Sequence, residues 1–286
     1  MIYLNHFEFP NAEQESSFRM GIKQTCYNTI YPFYVLTKHE LSQLDFEPIT
    51  ILYGGNGSGK TTALNVIAEK LRLTRDTLYN RSNFFDDYVK MCRYSVEKPI
   101  PNVSRIITSD DVFDFMLNLR TINEGIDQSR EELFEEYYKL RDTQFQMKSL
   151  EDYDELKRIN FAKKKATTQS KFVRANLMGN AREHSNGESA FIYFTDKMKD
   201  GGLYLLDEPE NSLSPERQIE LAKFLEEAVR FFNCQLIIAT HSPFLLALQG
   251  AKIYDLDEEV VDIKRWTELK NVRAYYEFFN KHKNEF

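Results

Sequence analysis

The sequence is poor in cysteine. Its three, Cys26, Cys92 and Cys234, are scattered and odd in number. They form neither a disulfide framework nor a zinc-ligand pattern, so a reducing, cytoplasmic setting is expected. Long apolar runs are missing as well. No stretch approaches the roughly 20 residues that span a bilayer. The opening MIYLNHFEFP lacks the basic flank, apolar core and cleavage site of an export signal. Direct membrane insertion is not expected, and service to a membrane would need a partner. Nor is there an excess of positive charge. Lys and Arg number 37 against 44 Asp and Glu, for a formal net charge of −7. No global field exists to hold DNA or an anionic membrane. A local patch at Lys163–Lys165 with Lys171 remains, and a solvated helix face is the preferred account of it. There is no internal repeat.

Apolar residues make up 42% of 286, enough for one large domain or a core with a smaller lobe. Ile2–Phe9 reads as a first strand, and Pro48–Tyr53 (PITILY) as a buried one that ends at glycines. A helix is expected over Lys60–Leu71 and another over Asp110–Leu119. From Asn123 to Lys171 the chain is charged, has one glycine, Gly125, and no proline. It reads as two or three amphipathic helices. Ser189–Met198 reads as a helix and Gly202–Leu206 as a buried strand. Ser214, Pro215 and Glu216 open a capped helix. Cys234–Thr240 reads as a strand, Lys252–Asp255 with Val260–Lys264 as a strand pair, and the tail as a helix. This order describes an α/β sheet with a helical insertion. The expected division is a core of residues 1–108 and 200–286, with a helical lobe at 109–199.

Gly54–Thr61 reads GGNGSGKT, the phosphate-loop pattern in its required place between strand and helix. Gly54, Gly55, Gly57 and Gly59 let backbone N–H groups, with those of Asn56 and Ser58, curl around a phosphate without Cβ clashes. The next helix presents its positive end. Lys60 reaches the β- and γ-phosphates, Thr61 offers a hydroxyl to Mg²⁺, and Thr62 extends the phosphate contacts. By itself the loop fits kinases, GTPases and ATPases alike. GLYLLDEPENSLSPERQ supplies a second half. An apolar strand delivers Asp207 to the edge where ligands of parallel sheets bind. Asp207 is a candidate for Mg²⁺, through water, and Glu208 for orienting and deprotonating an attacking water. CQLIIATHSPFLL repeats the logic, ending a buried strand at His241, a candidate hydrogen-bond donor to a γ-phosphate.

Together GGNGSGKTT, HSNGES, LYLLDEPENSLSPERQ and IIATHSPFLL resemble, in order and wording, the motifs of ABC-type ATPases. The set is most similar to small bacterial stand-alone ATPases, akin to the ATP-binding heads of RecF and SMC proteins. The resemblance covers Ile2–Leu71 and Arg182–Phe286. It implies a P-loop NTPase fold of ABC-ATPase type, with a mixed, largely parallel core sheet, an antiparallel β part and the helical lobe placed before the signature. It implies ATP and Mg²⁺ as cofactors, Glu208 as catalytic base and His241 as switch. Ser185, Gly187 and Glu188 become a signature that caps the γ-phosphate held by a second copy, and Asn211 and Ser212 a loop near that copy. An ATP-dependent homodimer follows. No glutamine between Lys60 and Ser185 sits in a Q-loop context; Asp110 or Asp111 is the candidate substitute. Tyr31 and Phe33 are candidates to stack on adenine.

The expected function is ATP hydrolysis that drives a dimerisation switch, in DNA maintenance or phage defence with a partner. The rival readings are an ATPase subunit of a membrane transporter and an ATP-gated regulator of an associated effector. A P-loop kinase would explain the phosphate loop but not HSNGES or His241.

Overall fold

The computed structural model describes residues 1–22, 27–144, 153–164, 167–177 and 186–285. In chain order the elements are β1 (Leu4–Glu8), α1 (Ala12–Gly21), β2 (Gln43–Asp45), β3 (Ile49–Tyr53), α2 (Lys60–Leu71), α3 (Phe85–Met91), β4 (Arg93–Val96), β5 (Arg105–Thr108) and α4 (Ser109–Asp142). Next come α5 (Tyr153–Lys163), α6 (Gln169–Asn176), α7 (Asn186–Lys197), β6 (Leu203–Asp207), α8 (Pro215–Phe231), β7 (Gln235–Thr240), α9 (Pro243–Leu246), β8 (Lys252–Asp255), β9 (Asp262–Ile263) and α10 (Lys270–Lys281).

Two compact units result, Met1–Phe113 with Asn186–Phe286, and Asp114–Ser185. The first holds a six-stranded sheet in the order β5-β6-β7-β3-β8-β9 and a three-stranded sheet in the order β2-β1-β4. In the larger sheet the first five strands are parallel and β9 is antiparallel. The smaller sheet is antiparallel throughout. This is an α/β fold with a mixed sheet. Strands β3, β6 and β7 are buried at every position, as central parallel strands with both faces covered must be, and their runs of Ile and Leu follow from it. Gln235 ties the two sheets together. Its Oε1 accepts from the amides of Tyr3 (2.7 Å) and Leu4 (2.9 Å), and its Nε2 donates to the Leu4 carbonyl (2.7 Å).

Register decides where the chemistry lies. Tyr53 pairs with Thr240, Asp207 with Ala239 and Thr108 with Asp207. Four strands therefore end level along one edge, the edge where crossover connections leave room for ligands. Strand β7 lies between β6 and β3, so the Asp207 strand and the His241 strand are neighbours, as their sequences suggest.

Several expectations change. The helix expected over Asp110–Leu119 and the first helix of the following segment are one helix, α4, running from Ser109 to Asp142. The stretch has no proline, and a single glycine within a long helix costs only about 1 kcal/mol. Helix α7 belongs to the first unit rather than to a lobe reaching residue 199. Hydrogen bonds to Asp76 explain this: Tyr193 Oη donates at 2.8 Å and Lys197 Nζ at 2.7 Å, beside Arg105 Nη2 at 2.8 Å. Strand β4 has all four residues exposed and so carries no apolar pattern to read. Of Val260–Lys264 only Asp262–Ile263 is strand. The second unit has its own small cluster of Tyr137, Ala162 and Phe172, with the Tyr137 hydroxyl donating to the Thr167 carbonyl at 3.0 Å.

Candidate active site

The loop from Gly54 to Gly59 joins β3 to α2. Gly57 and Gly59 have φ of 84° and 92°, values open to glycine and strained for other residues. At Gly54 the limit is space: a Cβ would sit 2.5 Å from Ser58 Oγ. Lys60 opens α2 with its side chain only 4% exposed. Its Nζ donates to the carbonyls of Gly54 (2.7 Å) and Gly55 (3.0 Å). Asn56, Gly57, Lys60, Thr61, Thr62 and Glu208 line a cleft of about 290 Å³ over this loop. The loop's amides, the ammonium and the N-terminus of α2 make the cleft suited to an anion. Ser58 Oγ is buried and without a partner among the described residues.

Across the cleft Thr61 Oγ donates to Asp207 Oδ1 at 3.1 Å. Burial pushes the Asp207 carboxyl up to about 7, against the Thr61 hydrogen bond, with Glu208 adding repulsion and Lys60 opposing it. A buried carboxyl so raised is one that a cation would ionise. Among the described residues no group of three His, Cys, Asp or Glu could hold a metal alone. One carboxylate beside one hydroxyl suits Mg²⁺, which keeps waters and shares phosphate oxygens instead of taking an all-protein cage. Thr61 and Asp207 are thus the residues that fit the ion.

Glu208 follows at the strand end with φ of 46°, and its amide extends the ladder to the Ala239 carbonyl at 2.9 Å. This backbone is costly for a residue with a side chain, and it turns the carboxylate into the cleft. Glu208 Oε1 lies 4.0 Å from Lys60 Nζ and 4.0 Å from His241 Nδ1. Its Oε2 accepts from Asn211 Nδ2 at 3.0 Å. The His241 side chain is 49% exposed, open to a ligand.

Three residues of this edge escape a reading of the sequence. Glu210, buried, accepts at Oε1 from Thr240 Oγ1 (2.7 Å) and from the amides of His241 (3.0 Å) and Ser242 (3.2 Å). Asp257 Oδ1 accepts from the Gly55 amide at 2.7 Å. Asn271, in the first turn of α10, donates from Nδ2 to the His241 carbonyl at 2.8 Å and from its amide to Tyr53 Oη at 3.3 Å. The only sequence signal among them is the third acid in DEPE.

Ser185 lies outside the described residues, as do Cys26 and Lys165. Gly187 and Glu188 stand in the first turn of α7. Asn211 and Ser212 are exposed, and Ser212 has φ of 67°. Phe33 is buried and stacked on Phe18 at 4.6 Å, so it belongs to the core and has no free face for adenine. Tyr31 is half-buried, its hydroxyl 3.1 Å from Thr62 Oγ1. Asp110 is exposed. Asp111 is buried and forms a capping box with Thr108, accepting from its amide at 2.6 Å and returning its own to Thr108 Oγ1 at 3.3 Å.

Residues 188–246 match a family described as AAA ATPase domain. That stretch holds Glu188, the Asp207 strand, Glu208, Glu210 and His241. No curated protein matches the chain. Among solved structures it is similar to the Smc head domain of Pyrococcus furiosus bound to the C-terminal domain of ScpA, at 12% identity over 99% of this chain and 100% of that one, TM-score 0.45. It is similar to the SMC head domain of Thermotoga maritima at 12% identity, covering 92% and 99%, TM-score 0.39. Similarity to cbiO1 of Clostridium perfringens, part of an ABC transporter complex, is 16% over 84% and 85%, TM-score 0.39.

Proposed function

We propose that this protein binds Mg-ATP at Gly54–Thr62 and hydrolyses it, and that ATP draws two copies into a transient dimer. The observation that carries this reading is the convergence at one sheet edge of a phosphate loop, the Thr61–Asp207 pair, Glu208 and His241. A kinase or GTPase reading leaves His241 beside Glu208 without a task.

Lys60 binds the β- and γ-phosphates, and the loop amides hold them in place. Mg²⁺ bound at Thr61 and Asp207 supplies positive charge to the phosphate oxygens. Glu208 orients the attacking water and takes its proton. Asn211 steadies the Glu208 carboxylate. His241 senses the γ-phosphate. Ser185, Gly187 and Glu188 then act on the nucleotide of the second copy. They add γ-phosphate contacts that ADP lacks, the difference in affinity that a nucleotide switch needs.

We assign the switch to DNA maintenance or phage defence with a partner protein. The support is the resemblance of the four motifs to RecF and SMC heads, which is analogy. The basic patch is thin: Lys163 and Lys164 are exposed, and Lys163 Nζ donates to the Thr143 carbonyl. DNA-stimulated turnover is its test. The switch itself is tested with Glu208→Gln, expected to retain ATP and to accumulate as a dimer by light scattering. A Glu208→Gln protein that stays monomeric in saturating Mg-ATP would end the dimer reading.

A further inference from the structure

Glu210 is spent unevenly. One of its oxygens, Oε1, serves Thr240 Oγ1 and the amides of His241 and Ser242. The same oxygen lies 3.5 Å from His241 Nδ1. The other oxygen, Oε2, is buried and has no partner among the described residues. A side chain only 6% exposed thus keeps unfilled acceptor capacity, a costly arrangement unless a donor comes to it. The half-exposed imidazole of His241 stands beside this carboxylate. Glu208 Oε1, at 4.0 Å, approaches the same ring nitrogen. Two carboxylates therefore face Nδ1. An unprotonated Nδ1 would set a lone pair against both of them, whereas an N–H there is attracted to both.

We propose that Glu210 is the positioning residue of the switch, holding His241 as the Nδ1–H tautomer and aiming Nε2 out of the protein. The inference rests on the reading of His241 as the switch. It also alters that reading. Neutral His241 presents Nε2 as an acceptor, so it donates to a phosphate oxygen only as the imidazolium. Glu210 and Glu208 then balance the added charge, as an orienting carboxylate does beside a catalytic histidine. The Thr240 hydroxyl and the amides of His241 and Ser242 are held by the same oxygen, so the backbone that carries the ring is fixed by the carboxylate that faces it.

The test is the ¹⁵N–¹H correlation spectrum of the histidine rings in the nucleotide-free full chain. The chain has five histidines, and His241→Gln identifies the relevant resonance. His241 is expected as Nδ1–H. In Glu210→Gln the amide oxygen can still accept from Thr240, His241 and Ser242, while the charge is lost and the other oxygen becomes an NH₂ donor, and the ring is expected to move toward Nε2–H. An Nε2–H ring in the unaltered protein overturns the proposal, whether or not the variant folds, and so does a spectrum that Glu210→Gln leaves unchanged. In turnover, Glu210→Gln is expected to lower kcat roughly tenfold or more with KM within about twofold, the pattern of an interaction made in the transition state. An unchanged kcat also overturns it. The spectrum needs no nucleotide, so a protein that fails to hydrolyse ATP would defeat the proposed function and leave the tautomer assignment standing.

Discussion

The strand-end edge and the helical unit Asp114–Ser185 are built in opposite ways. At the edge the contacts that join its parts are non-local: Thr61 meets Asp207, Gly55 meets Asp257 and Thr240 meets Glu210. Several of its polar groups, Lys60, Asp207 and Glu210 among them, are buried. In the helical unit the pairs are mostly local and exposed, such as Lys139 with Glu135 at i,i+4, and exposed pairs contribute little. Its buried cluster is small, Tyr137, Ala162 and Phe172. The edge is a place where single groups decide the outcome. The helical unit depends on a few apolar side chains, and its surface tolerates change.

The sharpest break in that contrast is Lys60→Ala. It removes the one ammonium in the cleft, and ATP affinity is expected to fall by roughly 10³-fold, about 4 kcal/mol, measured by equilibrium binding of a fluorescent ATP analogue. Thermal stability should change far less. Phe172→Ala addresses the other region. It empties the centre of the small cluster and should destabilise that unit by about 3 kcal/mol. Limited proteolysis should then cut within 114–185 before the first unit opens; equal resistance to the unaltered protein would show that the cluster does not hold the unit.

The smallest effect concerns pH. Burial raises the Asp207 carboxyl from 3.8 to about 7. Between those values the folded chain holds a proton that the unfolded chain has released. The contribution of this group to stability is therefore present at low pH and is lost as pH rises toward 7. Asp207→Asn removes that dependence. Without Mg²⁺, its melting temperature should exceed that of the unaltered protein at pH 8 by roughly 2–4 °C, and the gap should narrow below pH 7 and close only toward pH 4.

Much of the edge was legible because its parts are contiguous in the chain. GGNGSGKTT, LYLLDE and IIATH each put an apolar strand directly before its functional residue, and burial on both faces of a central strand enforces that pattern. What was hidden depends on pairing. Asp257 reaches Gly55 from 202 residues away, and Asn271 reaches His241 from a different helix. Neither has a local signature. Glu210 was in plain view beyond Pro209, but its role depends on three donors at and just beyond the end of a neighbouring strand. Phe33 was misplaced because an aromatic near a phosphate loop looks the same in sequence whether it stacks on a base or, as here, on Phe18. In the helical unit the amphipathic pattern showed helices but not their ends, since nothing near residue 120 breaks α4.

Lys60 has one more consequence. An ammonium has three protons to give, and two of them already go to the carbonyls of Gly54 and Gly55. On the proposed reading, a phosphate entering the cleft would meet a charge with one direction left, already pointed by the loop beneath it. The flexible lysine behaves there as a rigid fitting. On that reading, selectivity for where a phosphate sits, and not merely for negative charge, would be set before any nucleotide arrives.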